Sequence, residues 1–302
     1  MKVLHLTGNP DAPFLRKLIE ALENRDVNCD IAVVPGESNS RTALQYLLFF
    51  LKVHKQKLQG YDIIHSHFGF TAPMAISQVG IPTVISLWGS DLFGSKGKVI
   101  SLISSLGDEV IVTSEAMRKE YGRDCHVVPH GVDTELFRPM NTQNARSELN
   151  WDQSSKHVLF PYSRDREVKR YGLAKQVVER AAETSSFQIK LNSVSGEHYD
   201  RIPLYMNAAD VLLITSAWEG GPYTVKEAMA CNLPIVSTDV GDVREMLSGV
   251  EPSSVRDDDE LVDGLLKVLQ RETRSNGREQ ALEISMAATG ERISQIYRDL
   301  LD

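Results

Sequence analysis

The sequence predicts an α/β fold built as two doubly wound domains, each a parallel sheet with helices on both faces. Three observations predict it. Short, nearly all-apolar runs alternate with helical patterns along the chain, the pattern of strands buried on both sides of a parallel sheet. The alternation breaks once, at 138–156, where Pro139, several Asn and Gln, and Ser154-Ser155 interrupt it. The chain also has 302 residues, a length that favours two cores over one.

Each element follows from its pattern. Val3–Thr7, Cys29–Val34, Ile63–His67, Thr83–Leu87, Glu109–Thr113 and His126–Pro129 read as strands. Ala12–Asn24 and Glu115–Tyr121 read as helices between them. Past the break, Val158–Tyr162, Phe187–Leu191, Val211–Thr215 and Pro234–Thr238 read as strands. Leu173–Thr184, Leu204–Ala208, Val225–Ala230 and Glu260–Leu269 read as helices, and Gly277–Leu301 as one long or broken helix. The domains expected are 1–140 and 141–302, with the last helix free to return to the first.

Composition narrows the function. The chain is 42% hydrophobic and 25% charged, with a net charge of −8. That balance argues against a nucleic-acid binder. Cys29, Cys125 and Cys231 form no Cys-x-x-Cys pair, so neither a zinc site nor a disulfide framework is expected. The first residues read as a strand, without the apolar core and cleavage site of a signal peptide, and a cytoplasmic location is the expectation.

Local chemistry concentrates in Ser216–Ala230. Glu219 and Glu227 stand on either side of Gly220-Gly221-Pro222 and the start of a helix-forming run. Pro222 suits a first helical turn, which would leave the N–H groups of Tyr223, Thr224 and Val225 open to an anion. Two carboxylates beside such a turn suit sugar hydroxyls, so the segment fits a ligand with phosphate and polyol parts. The plain alternative is a turn followed by a solvated helix glutamate. Other polar clusters also follow the expected strand ends, where ligands of open α/β sheets bind. They are Gly8-Asn9, His65-Ser66-His67, Trp88–Asp91, His130–Asp133 and Arg164–Lys169.

With these residues in view, the sequence resembles the retaining glycosyltransferases of family 4, which have the GT-B fold. Asp62–Phe68 resembles that family's strand-end histidine motif, and Trp88–Asp91 its His-Gly-Ser-Asp variants. Pro129–Phe137 is similar to its Pro-Asn-Gly-Val-Asp boundary motif, and Glu219 with Glu227 to its Glu, seven residues, Glu signature, which continues through Thr238. The resemblance implies two Rossmann-like domains facing across a cleft and a nucleotide-sugar donor held mainly by the second. It assigns Glu219 to the donor sugar, Glu227 to the ribose, and the backbone of Gly220, Gly221, Pro222, Tyr223 and Thr224 to sugar and diphosphate. It asks for a lysine and an arginine against the diphosphate. Lys169 is the lysine, and Arg164 is preferred to Arg166 as the arginine. His67 takes the place of the family histidine near the reacting sugar, whereas His65 points the other way and packs. Gly8 and Asn9 stand where many members have a Gly-Gly pair, Gly8 on the donor side and Asn9 on the acceptor side. Asp91 either contacts the acceptor or caps a helix.

The implied reaction moves a sugar, with retention, from a UDP-sugar ahead of a GDP-sugar to an acceptor hydroxyl in polysaccharide or glycolipid assembly. It implies no cofactor and no bound metal; the partners are the donor and a saccharide or lipid-linked acceptor. A nucleotide-sugar epimerase, a sugar phosphorylase and a non-catalytic nucleotide-sugar binder on the same fold remain as alternatives. Finally, Arg41–Leu58 is an apolar helix with Lys52, Lys55 and Lys57 near its end. Core helix and peripheral membrane-surface helix are both open readings for it.

Overall fold

The computed structural model describes residues 1–36, 41–55, 60–89, 91–94, 96–219 and 221–302. Gly220, Ser90 and the end of the 41–58 segment, including Lys57, lie outside the described residues. The chain divides into two compact units, one of residues 1–131 and 286–302, the other of residues 132–285. The first boundary therefore falls nine residues before the expected one. The helix Met286–Leu301 belongs to the first unit.

The first unit holds six parallel strands, β1 (Lys2–Thr7), β2 (Asn28–Val33), β3 (Ile63–Ser66), β4 (Thr83–Ser86), β5 (Glu109–Val112) and β6 (His126–Val127). Their order is β2-β1-β3-β4-β5-β6. Right-handed crossovers to the left and to the right of β1 must pass on opposite faces, and the packing agrees. Leu4, Leu6, Ile64, Ile85 and Val112 face Phe49, Val53, Met74, Ile100 and Met117. Their alternating neighbours Val3, Ile63, Val84 and Ile111 face Leu18, Leu22, Ile293 and Tyr297. This is the period of two expected of strands buried on both sides.

The second unit holds β7 (Lys156–Phe160), β8 (Ile189–Ser193), β9 (Val211–Ile214), β10 (Ile235–Thr238) and β11 (Ser254–Arg256), in the order β11-β10-β9-β7-β8. Val158, Phe160, Val211, Leu213 and Val236 share one core with Val177, Leu261 and Leu265. Leu159, Leu212, Ile214 and Ile235 share the other with Met206, Val225 and Met229. β11 has no expected counterpart, because Ser-Val-Arg is too short and polar to register as a strand. The break at 138–156 also contains a short helix, Thr142–Glu148, whose N-cap Asn141 accepts the N–H of Asn144 at 3.0 Å. The last segment is broken: Arg278–Glu283 and Met286–Leu301 are separate helices.

In each sheet the strand order reverses once, between β1 and β3 and between β7 and β9. Ligands of open α/β sheets bind outside the carboxyl ends at such a point. Lys169 lies in the loop after β7 and Glu219 in the loop after β9, so topology alone brings them to one edge.

Candidate donor site

The site in the second unit is built by pinning two loops to each other. The loop after β7 closes with a 3-10 turn, Glu167–Lys169. The hydroxyl of Thr215 donates to the carbonyl of Lys169 at 2.8 Å, and the N–H of Ala217 donates to the carbonyl of Val168 at 2.9 Å. Arg170 secures the joint. It starts the helix Tyr171–Thr184 with φ of 51°. Its guanidinium reaches the carbonyls of Thr215 and Ser216, at 2.5 and 3.2 Å, and both oxygens of Asp258, at 2.6 and 2.9 Å.

So held, the buried ammonium of Lys169 pairs with Oε1 of Glu219. It also lies 3.9 Å from the centroid of the Tyr162 ring. Ser216 donates its hydroxyl to the same Oε1 at 2.5 Å. Burial pulls the Lys169 ammonium down from its ordinary value, and the Glu219 carboxylate opposes this. The Tyr162 hydroxyl in turn meets Oγ1 of Thr224 at 2.6 Å.

Glu227 is a different kind of carboxylate. It is buried in the helix Tyr223–Ala230 and accepts the Tyr199 hydroxyl at Oε1, 3.0 Å away. Burial lifts its carboxyl from 4.5 to about 7, the tyrosine bond opposing. The helix start differs from expectation. Pro222 is the N-cap, with extended backbone, and the helix begins at Tyr223. The N–H of Val225 bonds the Pro222 carbonyl at 3.1 Å, which removes it from the donors open to an anion. Gly221 adopts φ of 148°, a conformation that favours glycine.

The two arginines separate. Arg164 is exposed and stacks on Tyr171, 4.9 Å from its centroid. Arg166 is also exposed, and its charge acts on Lys169 and Tyr162.

In the first unit, His67 and Asp91 are more enclosed than the sequence suggested. His67 is 1% exposed. Its Nε2 lies 2.7 Å from Nδ1 of His5, and its ring is 5.9 Å from that of Trp88. His65 bonds the Tyr297 hydroxyl at 2.5 Å and the Ser86 hydroxyl at 2.7 Å, which agrees with a packed role. Burial pushes all three imidazoles below their ordinary value, which favours the neutral form. Nε2 of His5 and Nδ1 of His67 have no hydrogen-bond partner. The three rings have the composition of a metal site, but four of their six ring nitrogens already bond each other or a hydroxyl.

Asp91 is buried, and its carboxylate holds the start of the 3-10 turn Gly69–Thr71, which precedes it in sequence, rather than a helix that follows it. It is 1% exposed, and its carboxylate accepts the N–H groups of Trp88, Gly89 and Gly69 at 2.9, 3.0 and 2.9 Å. It therefore ties the loop after β4 to the turn after β3. The Gly8 carbonyl is held by the Arg41 guanidinium, and a side chain at Gly8 would run into that group, at 2.7 Å. Asn9 is exposed, its N–H on the Thr7 hydroxyl at 3.0 Å.

Sequence reasoning missed Ser216, Tyr162, Tyr199 and Arg170. Ser216 stands in the glutamate segment without a motif role, and Tyr199 lies 28 positions from Glu227, a distance no local pattern spans.

Comparison with known proteins fits this arrangement. Residues 6–136 match the family described as Glycosyltransferase Family 4, and residues 171–271 that described as Glycosyl transferases group 1. TuaC of Bacillus subtilis is provisionally named as a teichuronic acid biosynthesis glycosyltransferase. It is 26% identical over 224 residues, 65% of this chain and 58% of that one. The uncharacterized glycosyltransferase MJ1178 of Methanocaldococcus jannaschii is 23% identical over 310 residues, 93% and 88% of the two chains. The structure of Anabaena HepE in complex with UDP and glucose superposes with a TM-score of 0.73 at 17% identity, over 99% of this chain and 100% of that one. That likeness gives the fold, two parallel sheets with flanking helices as in GT-B proteins. Through the two motif-bearing halves that match, this chain belongs to the group 1 glycosyltransferases of family 4.

Proposed function

We propose that the protein is a retaining glycosyltransferase that transfers a hexose from a nucleotide-diphosphate sugar, UDP ahead of GDP, to an acceptor hydroxyl in polysaccharide or glycolipid assembly. The observation that carries this reading is the Lys169–Glu219–Ser216 cluster at the reversal point of the second sheet. A buried ammonium and a carboxylate whose side chain is only 13% exposed each need a partner. Without a donor they partner each other. With one, Lys169 turns to the diphosphate and Glu219 to the sugar hydroxyls. Arg166 and the helix start at Tyr223 and Thr224 add positive potential, so the leaving diphosphate is stabilised by fixed charge and dipole without a bound metal. Glu227, with Tyr199 behind it, receives the ribose. The complex of HepE with UDP supports the choice of base.

The test is a thermal-shift series with nucleoside diphosphates, followed by transfer assays with and without a chelator. A donor diphosphate raises the melting temperature by mass action. UDP is expected to give the larger shift, and a chelator to leave transfer intact. Glu219→Ala is expected to lower turnover at least a hundredfold in the folded protein. A variant as active as the wild type would remove the site assignment.

A second element of the reading is peripheral contact with a membrane through 41–58. In its described part, the helix Ala43–Lys55 buries Phe49 and Val53 but exposes Leu44, Leu47, Leu48 and Leu51. Those four lie along one stripe. The helix Gly97–Ser104, which like Ala43–Lys55 packs on the helix Ala72–Ile76, exposes Val99 and Leu102, with Leu106 just beyond. Segments 41–58 and 92–107 contain no acidic residue in a chain of net charge −8, while Arg41, Lys52, Lys96 and Lys98 lie in them. An apolar face with a cationic rim suits an anionic lipid surface. A groove of about 580 Å³ beside it, lined by Tyr46, Phe50, Phe68, Phe70, Arg41 and Lys96, gives a lipid-linked acceptor room for its apolar chain. No helix among the described residues is long and apolar enough to cross a membrane.

A further inference from the structure

The donor site contains one polar group whose own contacts do not account for it. Asp242 lies in the turn after β10. Its Oδ1 is buried and makes no hydrogen bond. A buried acceptor without a donor is costly, so such an atom calls for a reason.

Its position supplies one. A Cβ built on Gly221 would lie 3.8 and 3.9 Å from the two carboxylate oxygens of Asp242. A Cβ built on Gly241 would lie 3.0 Å from the Glu219 carbonyl oxygen. Glu219 therefore packs against Gly241, and the Asp242 carboxylate stands beside the bare backbone of Gly221. Glu219 and Asp242 follow the ends of adjacent strands, β9 and β10.

The chemistry of the occupant follows from charge. Two carboxylates beside Gly221 offer acceptors and no donor, so they suit hydroxyls rather than phosphate oxygens. Their charge is already offset, Glu219 by Lys169 and Asp242 in part by the buried Lys226, so no cation is called for. What remains is a neutral ligand rich in O–H donors. Asp242 keeps some exposure, and a small rotation of its carboxylate presents either oxygen.

We propose that Asp242 accepts a hydroxyl of the donor sugar and, with Glu219, sets which sugar configuration is held. This rests on the donor-site reading above. On that reading the diphosphate and ribose lie on Lys169, the helix start and Glu227, so Asp242 acts on the sugar alone.

The test is calorimetric titration of the full chain with UDP, UDP-glucose and UDP-galactose, the last two differing in the configuration of one hydroxyl. Wild type, Asp242→Asn and Asp242→Ala are compared, with melting curves to verify folding. The expected result is a UDP dissociation constant within about twofold of wild type in both variants. The sugar nucleotide preferred by the wild type is expected to bind about tenfold more weakly, with discrimination between the two reduced. Unchanged sugar-nucleotide affinity in folded variants overturns the proposal. So does equal weakening of UDP, because Asp242 would then act through Lys226 and the helix. A wild type that binds UDP but neither sugar nucleotide also overturns it while leaving the diphosphate site standing. A wild type that does not bind UDP removes the donor-site reading itself.

Discussion

At the scale of single residues, the site is governed by buried charge. Lys169 and Glu219 satisfy each other, so removing one leaves the other uncompensated. Lys169→Met is expected to abolish transfer and to destabilise the protein by about 3 kcal/mol. The double variant Lys169→Met with Glu219→Gln should recover much of that stability in denaturant melts and none of the activity. Glu227 gives a pH dependence whose sign is fixed by its raised value of about 7. Below 4.5 both folded and unfolded chains hold its proton. Between 4.5 and 7 only the unfolded chain releases it, so stability falls as pH rises, and the loss is complete above 7. It amounts to about 3 kcal/mol at one unit per 1.36 kcal/mol. Glu227→Gln keeps an acceptor for Tyr199 and removes the charge. Its melting temperature should match wild type at pH 4.5 and exceed it at pH 8. The ionised carboxylate is the better partner for two ribose hydroxyls, so affinity for a UDP-sugar, whose diphosphate does not titrate in this range, should rise from pH 6 to 8 in the wild type and by less in the variant.

At the scale of elements, what the sequence displays is periodicity, and periodicity carried most of the architecture. Glu115–Tyr121 has the same bounds in sequence and structure, because Ser114 is an N-cap whose side chain accepts the Met117 N–H and Gly122 closes the helix in the left-handed region. Ends without such signals drifted. β3 stops at Ser66, since the His67 N–H still bonds the Leu6 carbonyl but the next residues turn away. The helix Ala43–Lys55 was ambiguous because its apolar residues exceed one face, and only packing reveals that the surplus leucines point outward. Leu47→Glu with Leu102→Glu should leave the melting temperature within a few degrees and cut binding to anionic vesicles at least tenfold in sedimentation. Undiminished binding would move the contact elsewhere. Gly221→Ala should weaken donor binding, because φ of 148° strains any side chain.

At the scale of the whole molecule, the last helix decides how the chain is partitioned. Met286, Ile293, Ile296 and Tyr297 complete the core formed by Leu18, Leu22, Val3 and Ile63. Gly131 meets the Met286 backbone so closely that a Cβ there would lie 2.6 Å from its Cα. The Tyr297 hydroxyl reaches His65, 232 positions away in sequence. Truncation after Ser285 is therefore expected to unfold the first unit and spare the second. Hydrogen exchange should show β1, β3 and β4 losing protection while β7, β9 and β10 retain it. Protection lost evenly in both units would refute this partition.

The sequence by itself determined the α/β class, the order of strands along the chain and the segment that carries the paired glutamates. These follow from local alternation of apolar residues and from turn chemistry, which a chain displays without being folded. Tertiary structure decided the rest. It enclosed His67 and Asp91, set Tyr199 behind Glu227, brought Asp242 to Gly221 and drew the last helix back to the first sheet. Each of these depends on partners far apart in sequence, and which buried polar atoms find a donor is settled only when the strands take their order in the sheets.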